Sequence, residues 1–105
     1  MPAAARSGGI DNVFSKTGIG KDCAFPVTTV TGTPTCEVYV NGHKAVRVGD
    51  QVGAHAFYGC DPDTSTLTEG SSTVFIGGQG MGRIGDNYGS DNIIISGSPT
   101  VFIGG

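Results

Sequence analysis

Charge is scarce in this chain: Asp, Glu, Lys and Arg make up 14% of its 105 residues, and the net charge is −3. The six basic residues, Arg6, Lys16, Lys21, Lys44, Arg47 and Arg83, are scattered. Proteins that bind nucleic acid neutralise phosphates with a clustered basic surface, so no nucleic-acid partner is expected. Long apolar runs are missing as well, and none approaches the roughly 20 residues needed to cross a bilayer. Residues 1–6 (MPAAAR) have no apolar core behind a basic region, so they do not read as a secretory signal, and synthesis in the cytoplasm is expected. No window of about eleven residues carries apolar positions at helical spacing, which leaves almost no helix to expect. Cysteine is sparse and odd in number: a closed disulfide framework among Cys23, Cys36 and Cys60 would leave one thiol over.

Glycine, by contrast, is abundant, with 19 positions spread along the chain in GD, GG and GS pairs. Glycine costs backbone entropy in any regular element, so this load points to many tight turns between short strands. The commonest apolar residues are β-branched, among them Val27, Val30, Val38, Val40, Val46, Val48, Ile76, Ile84, Ile93, Ile94, Ile95 and Ile103. A chain of this length makes one small domain, residues 1–105, with a modest core. The predicted fold class is all-β.

Internal repetition is the main signal. Residues 70–78 (GSSTVFIGG) and 97–105 (GSPTVFIGG) differ only in Ser72 against Pro99. Residues 32–42 (GTPTCEVYVNG) follow the same pattern if Cys36 and Glu37 are an insertion. A return motif follows as residues 46–50 (VRVGD) and 82–86 (GRIGD), with a weaker copy at residues 5–9 (ARSGG) that lacks the aspartate. Each unit reads as a turn, a short strand, a tight Asn-Gly or Gly-Gly hairpin turn at positive φ, and a return strand. The insertion preserves facing, because side chains alternate with a period of two, and is expected to lengthen the strand or add a bulge. The last copy stops where its return strand should begin, so it is expected to close an existing sheet. Three such hairpins about one axis predict pseudo-threefold symmetry.

The strand–turn–Arg-x-Gly-Asp unit resembles the PAAR-repeat proteins, which include the spike-tip proteins of T4-type contractile phage tails. Residues 1–6 carry the Pro-Ala-Ala-Arg signature with one extra alanine, and residues 22–26 (DCAFP) are similar to a Cys-Phe-Pro stretch of the phage-type subgroup. The resemblance implies a small cone, one monomer seated on the blunt end of a trimeric β-helical spike, that sharpens it for piercing an outer membrane. It implies a virion-tail location, or, as the alternative, export as a plain tip of a bacterial type VI secretion spike. It also implies a zinc site of His and Cys near the apex.

His55 lies five residues after Asp50, and Cys60 five after that, while Cys23 occupies the corresponding loop after the first return motif. Loops converging on an apex have little apolar surface to order them, and a tetrahedral zinc (or iron) ion with N and S ligands supplies that order. The candidate metal ligands are therefore Cys23, His55, Cys60 and, as a fourth, His43, with Cys36 or water as alternatives. A cysteine–histidine dyad from the same residues would need an orienting group and a cleft, and short hairpins offer neither, so no catalytic residues are expected. A small metalloenzyme or redox module is the rival reading. Asp50 and Asp86 read as turn-making carboxylates. Tyr39, Phe75 and Phe102 share one strand position, either filling the core or facing a partner.

Overall fold

The computed structural model describes residues 1–15, 27–53, 65–89 and 92–104. Eight short strands and no helix appear among them: β1 (Asn12–Ser15), β2 (Val27–Val30), β3 (Tyr39–Val40), β4 (His43–Lys44), β5 (Phe75–Ile76), β6 (Gln79–Gly80), β7 (Asn87–Tyr88) and β8 (Asn92–Ile94). The expected all-β class is what the chain adopts. Its extents are 39 × 23 × 22 Å, and the two nearly equal short dimensions are those of an object built around one long axis.

The hairpins form where the turn residues demand them. Asn41 and Gly42 have φ of 53° and 80°, and Gly77 and Gly78 have 58° and 83°. Two consecutive positive φ values give the primed turn whose twist matches antiparallel strands, so β3 pairs with β4 and β5 with β6. The two paired stretches are equally long, so the Cys36–Glu37 insertion does not lengthen its strand. The extra residues are absorbed ahead of Val38, with Cys36 turned into the core and its thiol donating to the Ala45 carbonyl at 3.4 Å.

The third hairpin is assembled from both ends of the sequence. Ala3 bridges Phe102, Ala4 N–H donates to Val101 O, and Ile103 N–H donates to Pro2 O. Residues 2–4 thus serve as the return strand for residues 101–103, and the weak copy at residues 5–9 is the third unit's own return motif. The three return strands then bridge one another cyclically, Arg6 to Ala45, Arg47 to Met81, and Ala4 to Arg83. Each bridge joins one unit's arginine to the residue two before the next unit's arginine, which is the pseudo-threefold symmetry in its most direct form.

Two buried clusters stack behind this ring, and both obey it. The hairpin layer packs Val40, Ile76 and Ile103 from the outgoing strands against Ala4, Ala45 and Met81 from the return strands, with Cys36 added from the insertion. The second layer packs Val13, Val52 and Tyr88, each two residues past a corner aspartate, with Ala5, Val46, Leu67 and Ile94. Its wall is a sheet ordered β2-β1-β8-β7. Tyr88 is fully buried, and its hydroxyl has no hydrogen-bond partner among the described residues. Burial, with the Asp50 and Asp11 charges nearby, pushes its phenol well above the usual tyrosine range. Because an unpaired buried hydroxyl is a cost, Tyr88→Phe is expected to leave stability unchanged or raise it by up to about 1 kcal/mol, read by urea unfolding.

Candidate functional site

Three corners hold the layers together. In each, the turn that follows the return strand is closed by an aspartate whose carboxylate accepts the arginine's own N–H: Arg47 to Asp50 at 3.1 Å, Arg83 to Asp86 at 2.9 Å, and Arg6 to Asp11 at 2.6 Å. The aspartate missing from residues 5–9 is therefore present two residues late, as Asp11, after a longer loop through Gly8 and Gly9 at positive φ. Sequence reading missed it because it looked for a fixed Arg-x-Gly-Asp spacing. Asp50 and Asp86 are the turn-makers expected.

In two corners the guanidinium also grips the carboxylate directly, Arg6 to Asp11 at 2.9 Å and Arg83 to Asp86 at 3.0 Å. The Arg47 corner differs: Arg47 Nε donates to Thr35 Oγ1 at 2.9 Å, and the Thr35 hydroxyl donates to Asp50. An open groove of about 300 Å³ lies there, lined by Thr35, Arg47, Val48, Gly49, Asp50 and Gln79. Its arginine, threonine and aspartate are spent on one another, so none is presented as a nucleophile or general base.

Seams between hairpins are tied by serines. Ser71 Oγ accepts the N–H groups of Thr73 and Val74 and donates to Gly104 O at 2.7 Å. Ser98 Oγ accepts the N–H groups of Thr100 and Val101 and donates to Asn41 Oδ1, while Asn41 Nδ2 donates to Thr100 Oγ1 at 2.9 Å. The repeated serine after glycine is thus both a turn-maker and a rivet into the neighbouring hairpin.

The aromatics do not fill the core. Tyr39, Phe75 and Phe102 are 58%, 57% and 51% exposed at three symmetry-equivalent places, with Val38 and Val74 beside two of them. Alternation explains this: the next residue in each strand, Val40, Ile76 or Ile103, is the one turned into the hairpin layer. On the far side of each outgoing strand no bridge partner is present among the described residues, so three backbone edges accompany the three rings.

Among the metal candidates, Cys23, His55 and Cys60 lie outside the described residues. In sequence they follow Ser15 and Gly53, whose near neighbours Val13 and Val52 are equivalent members of the second layer. His43 is exposed on β4, in the hairpin layer, paired with Val40 beside the Asn41 turn. No group of three or more His, Cys, Asp or Glu side chains gathers among the described residues. Cys36 is buried in the hairpin layer and packs as a small apolar side chain.

One chain that folds its own three hairpins into a pseudo-threefold ring, with an exposed aromatic in each, defines a class of small single-chain repeat folds. The chain belongs to the PAAR family: the PAAR motif model matches residues 20–92. Among curated proteins it is similar to an NAD(P)(+) glycohydrolase toxin and a (p)ppApp synthetase toxin, both of Pseudomonas aeruginosa. Each is 34% identical over 88 residues, which is 76% of this chain but only 20% and 19% of the relatives. The chain thus spans about a fifth of the length of these relatives.

Proposed function

We propose that this protein is the non-catalytic tip of a trimeric β-helical spike, a single domain that seats one copy per spike and sharpens it for penetrating an outer membrane. The observation that carries this reading is the threefold placement of Tyr39, Phe75 and Phe102, all more than half exposed on one chain. A monomer with three equivalent apolar anchors and three open strand edges can give each chain of a trimer the same contact. Strand addition at those edges would also cover backbone groups that otherwise invite aggregation. Aromatic anchors commonly dominate such interfaces.

The test is a Tyr39→Lys, Phe75→Lys, Phe102→Lys variant mixed with the recombinant trimeric spike encoded in the same genome. Exposed positions tolerate the change, so the variant is expected to keep the melting temperature of the parent within a few degrees. Co-elution with the spike, at one chain per trimer for the parent, is expected to be lost, with affinity down at least about 100-fold, or about 3 kcal/mol. Undiminished binding by the triple variant would remove the aromatic face from this reading.

Two carriers of such a spike fit, a contractile phage tail and a bacterial type VI secretion system. Both relatives are toxins of a bacterium, and this favours the secretion spike. Recovery of the protein from culture supernatant only when the sheath can contract supports secretion, and recovery from purified virions supports the tail.

A structural zinc, or iron, held by Cys23, His55 and Cys60 belongs to the same reading. His43, exposed on β4 beside the Asn41 turn, is the candidate fourth ligand. Such an ion would add its binding free energy to the stability of the fold. Elemental mass spectrometry is expected to find about one ion per chain, lost with a lower melting temperature in both His55→Ala and Cys60→Ala. A metal-free protein with an unchanged melting temperature would leave the cone resting on packing and hydrogen bonds.

A further inference from the structure

We propose that residues 2–7 form a strap that closes the ring of three hairpins and opens as a separate unit, hinged at Gly8 and Gly9, while the two-layer body stays folded. The strap is held by backbone bonds to residues distant in sequence, by the Arg6–Asp11 ion pair, and by the Ser7 hydroxyl, which donates to Lys44 O at 2.8 Å. It donates from Ala4 to Val101 O, Ala5 to Gly82 O and Ser7 to Lys44 O. It accepts from Val46 at Ala5 O, Ile84 at Ala3 O, Ser98 at Ala4 O and Ile103 at Pro2 O. In apolar terms it adds little: Ala4 and Ala5 bring two methyl groups to clusters otherwise built from residues 13–103. Few buried apolar contacts are a mark of a unit that opens below the global unfolding free energy.

The hinge has the freedom this motion needs. Gly8 and Gly9 have φ of 74° and 83°, both are exposed, and a Cβ at Gly8 would meet nothing within 4 Å. Opening parts Arg6 from Asp11 and removes the return strand from beside Phe102, so one of the three aromatic edges loses its support while the other two hairpins keep theirs. The strap would thereby decide whether the ring presents three equivalent edges or two.

Native-state hydrogen exchange of the full-length chain by NMR tests the idea without any variant. The amides of Ala4, Ala5 and Ser7, together with Val46, Ile84, Ser98 and Ile103, are expected to share one opening reaction. Their protection should lie at least about tenfold below that of Leu67 and Ile94, whose N–H groups donate to Asp50 O and Asp86 O in the body. A second arm uses Ala3→Cys with Phe102→Cys, a directly opposed pair flanked by the Ala4 and Ile103 bonds, where side chains stand close enough for a disulfide. With the bond confirmed by peptide mapping, oxidation should raise the seven amides to the protection of the body, and reduction should reverse it. If the seven amides exchange in step with Leu67 and Ile94 in the parent chain, the ring opens only by global unfolding and the strap is not a separate unit.

Discussion

Asp11→Ala is expected to destabilise the protein by about 3–5 kcal/mol, because it leaves a largely buried guanidinium without its counter-charge. The Asp11 carboxylate is 1% exposed and takes four bonds, three from Arg6 and one from Ser96 Oγ at 3.0 Å. A loss of that size is a large part of the stability of an ordinary folded protein. Guanidinium chloride unfolding with an unchanged m-value would read it. An Arg6→Met, Asp11→Leu double variant is expected to recover only part, since the Arg6 N–H and the Ser96 hydroxyl then lack their acceptor.

The same carboxylate sets an acid limit. Burial pushes it up, but the side-chain and backbone bonds from Arg6, the bond from Ser96 and the Arg6 charge outweigh that, so it titrates below the ordinary aspartate value of 3.8. A carboxyl depressed in the folded state contributes stability that is fully present above its unfolded value and is lost as pH falls through its folded one. The melting temperature is therefore expected to be insensitive to this group from pH 7 to about pH 5 and to fall below about pH 4. Asp11→Asn should lower the plateau and flatten this acid limb. An acid limb as steep in Asp11→Asn as in the parent would assign it to other carboxylates.

Gly32→Ala is expected to cost about 3 kcal/mol or more, at the upper end of overpacking effects. A Cβ there would fall on the Gln51 carbonyl oxygen, a backbone atom that no rotamer change can move. The equivalent glycines show the same constraint: a Cβ at Gly70 would lie 2.8 Å from Gly80 O, and one at Gly97 2.8 Å from Ala4 O. These glycines exist for close approach. Gly85 is of another kind, at φ 93° with nothing within 4 Å of a built Cβ, so Gly85→Ala pays only the left-handed backbone strain of about 1–2 kcal/mol. Comparable losses in the two variants, measured by denaturant unfolding, would refute the distinction.

Much of this architecture was legible in residue order. The Asn41-Gly42 and Gly77-Gly78 turns, the Val-x-Val alternation and the Arg-x-Gly-Asp corners are local, since two or three neighbouring residues fix φ, facing and a three-residue hydrogen bond. The all-β class and the threefold repetition followed from them without reference to distant contacts. The metal-ligand candidates were legible only as residue types, because spacing within a loop does not fix where the loop goes.

What folding alone decided is non-local. Residues 2–4 became the partner of residues 101–103 because an unpaired outgoing strand and an unpaired small-residue segment satisfied each other's backbone groups across almost the whole chain. Asp11 replaced the missing corner aspartate because the Gly8-Gly9 loop lets the chain reach Arg6 from two residues further on. Cys36 went into the core and Thr35 between Arg47 and Asp50 because the insertion had to be absorbed somewhere, and the equal hairpins left only the segment ahead of Val38. Alternation put Tyr39, Phe75 and Phe102 on the same side of their three strands, but only the ring closed by the cyclic return strands settled which side is outside.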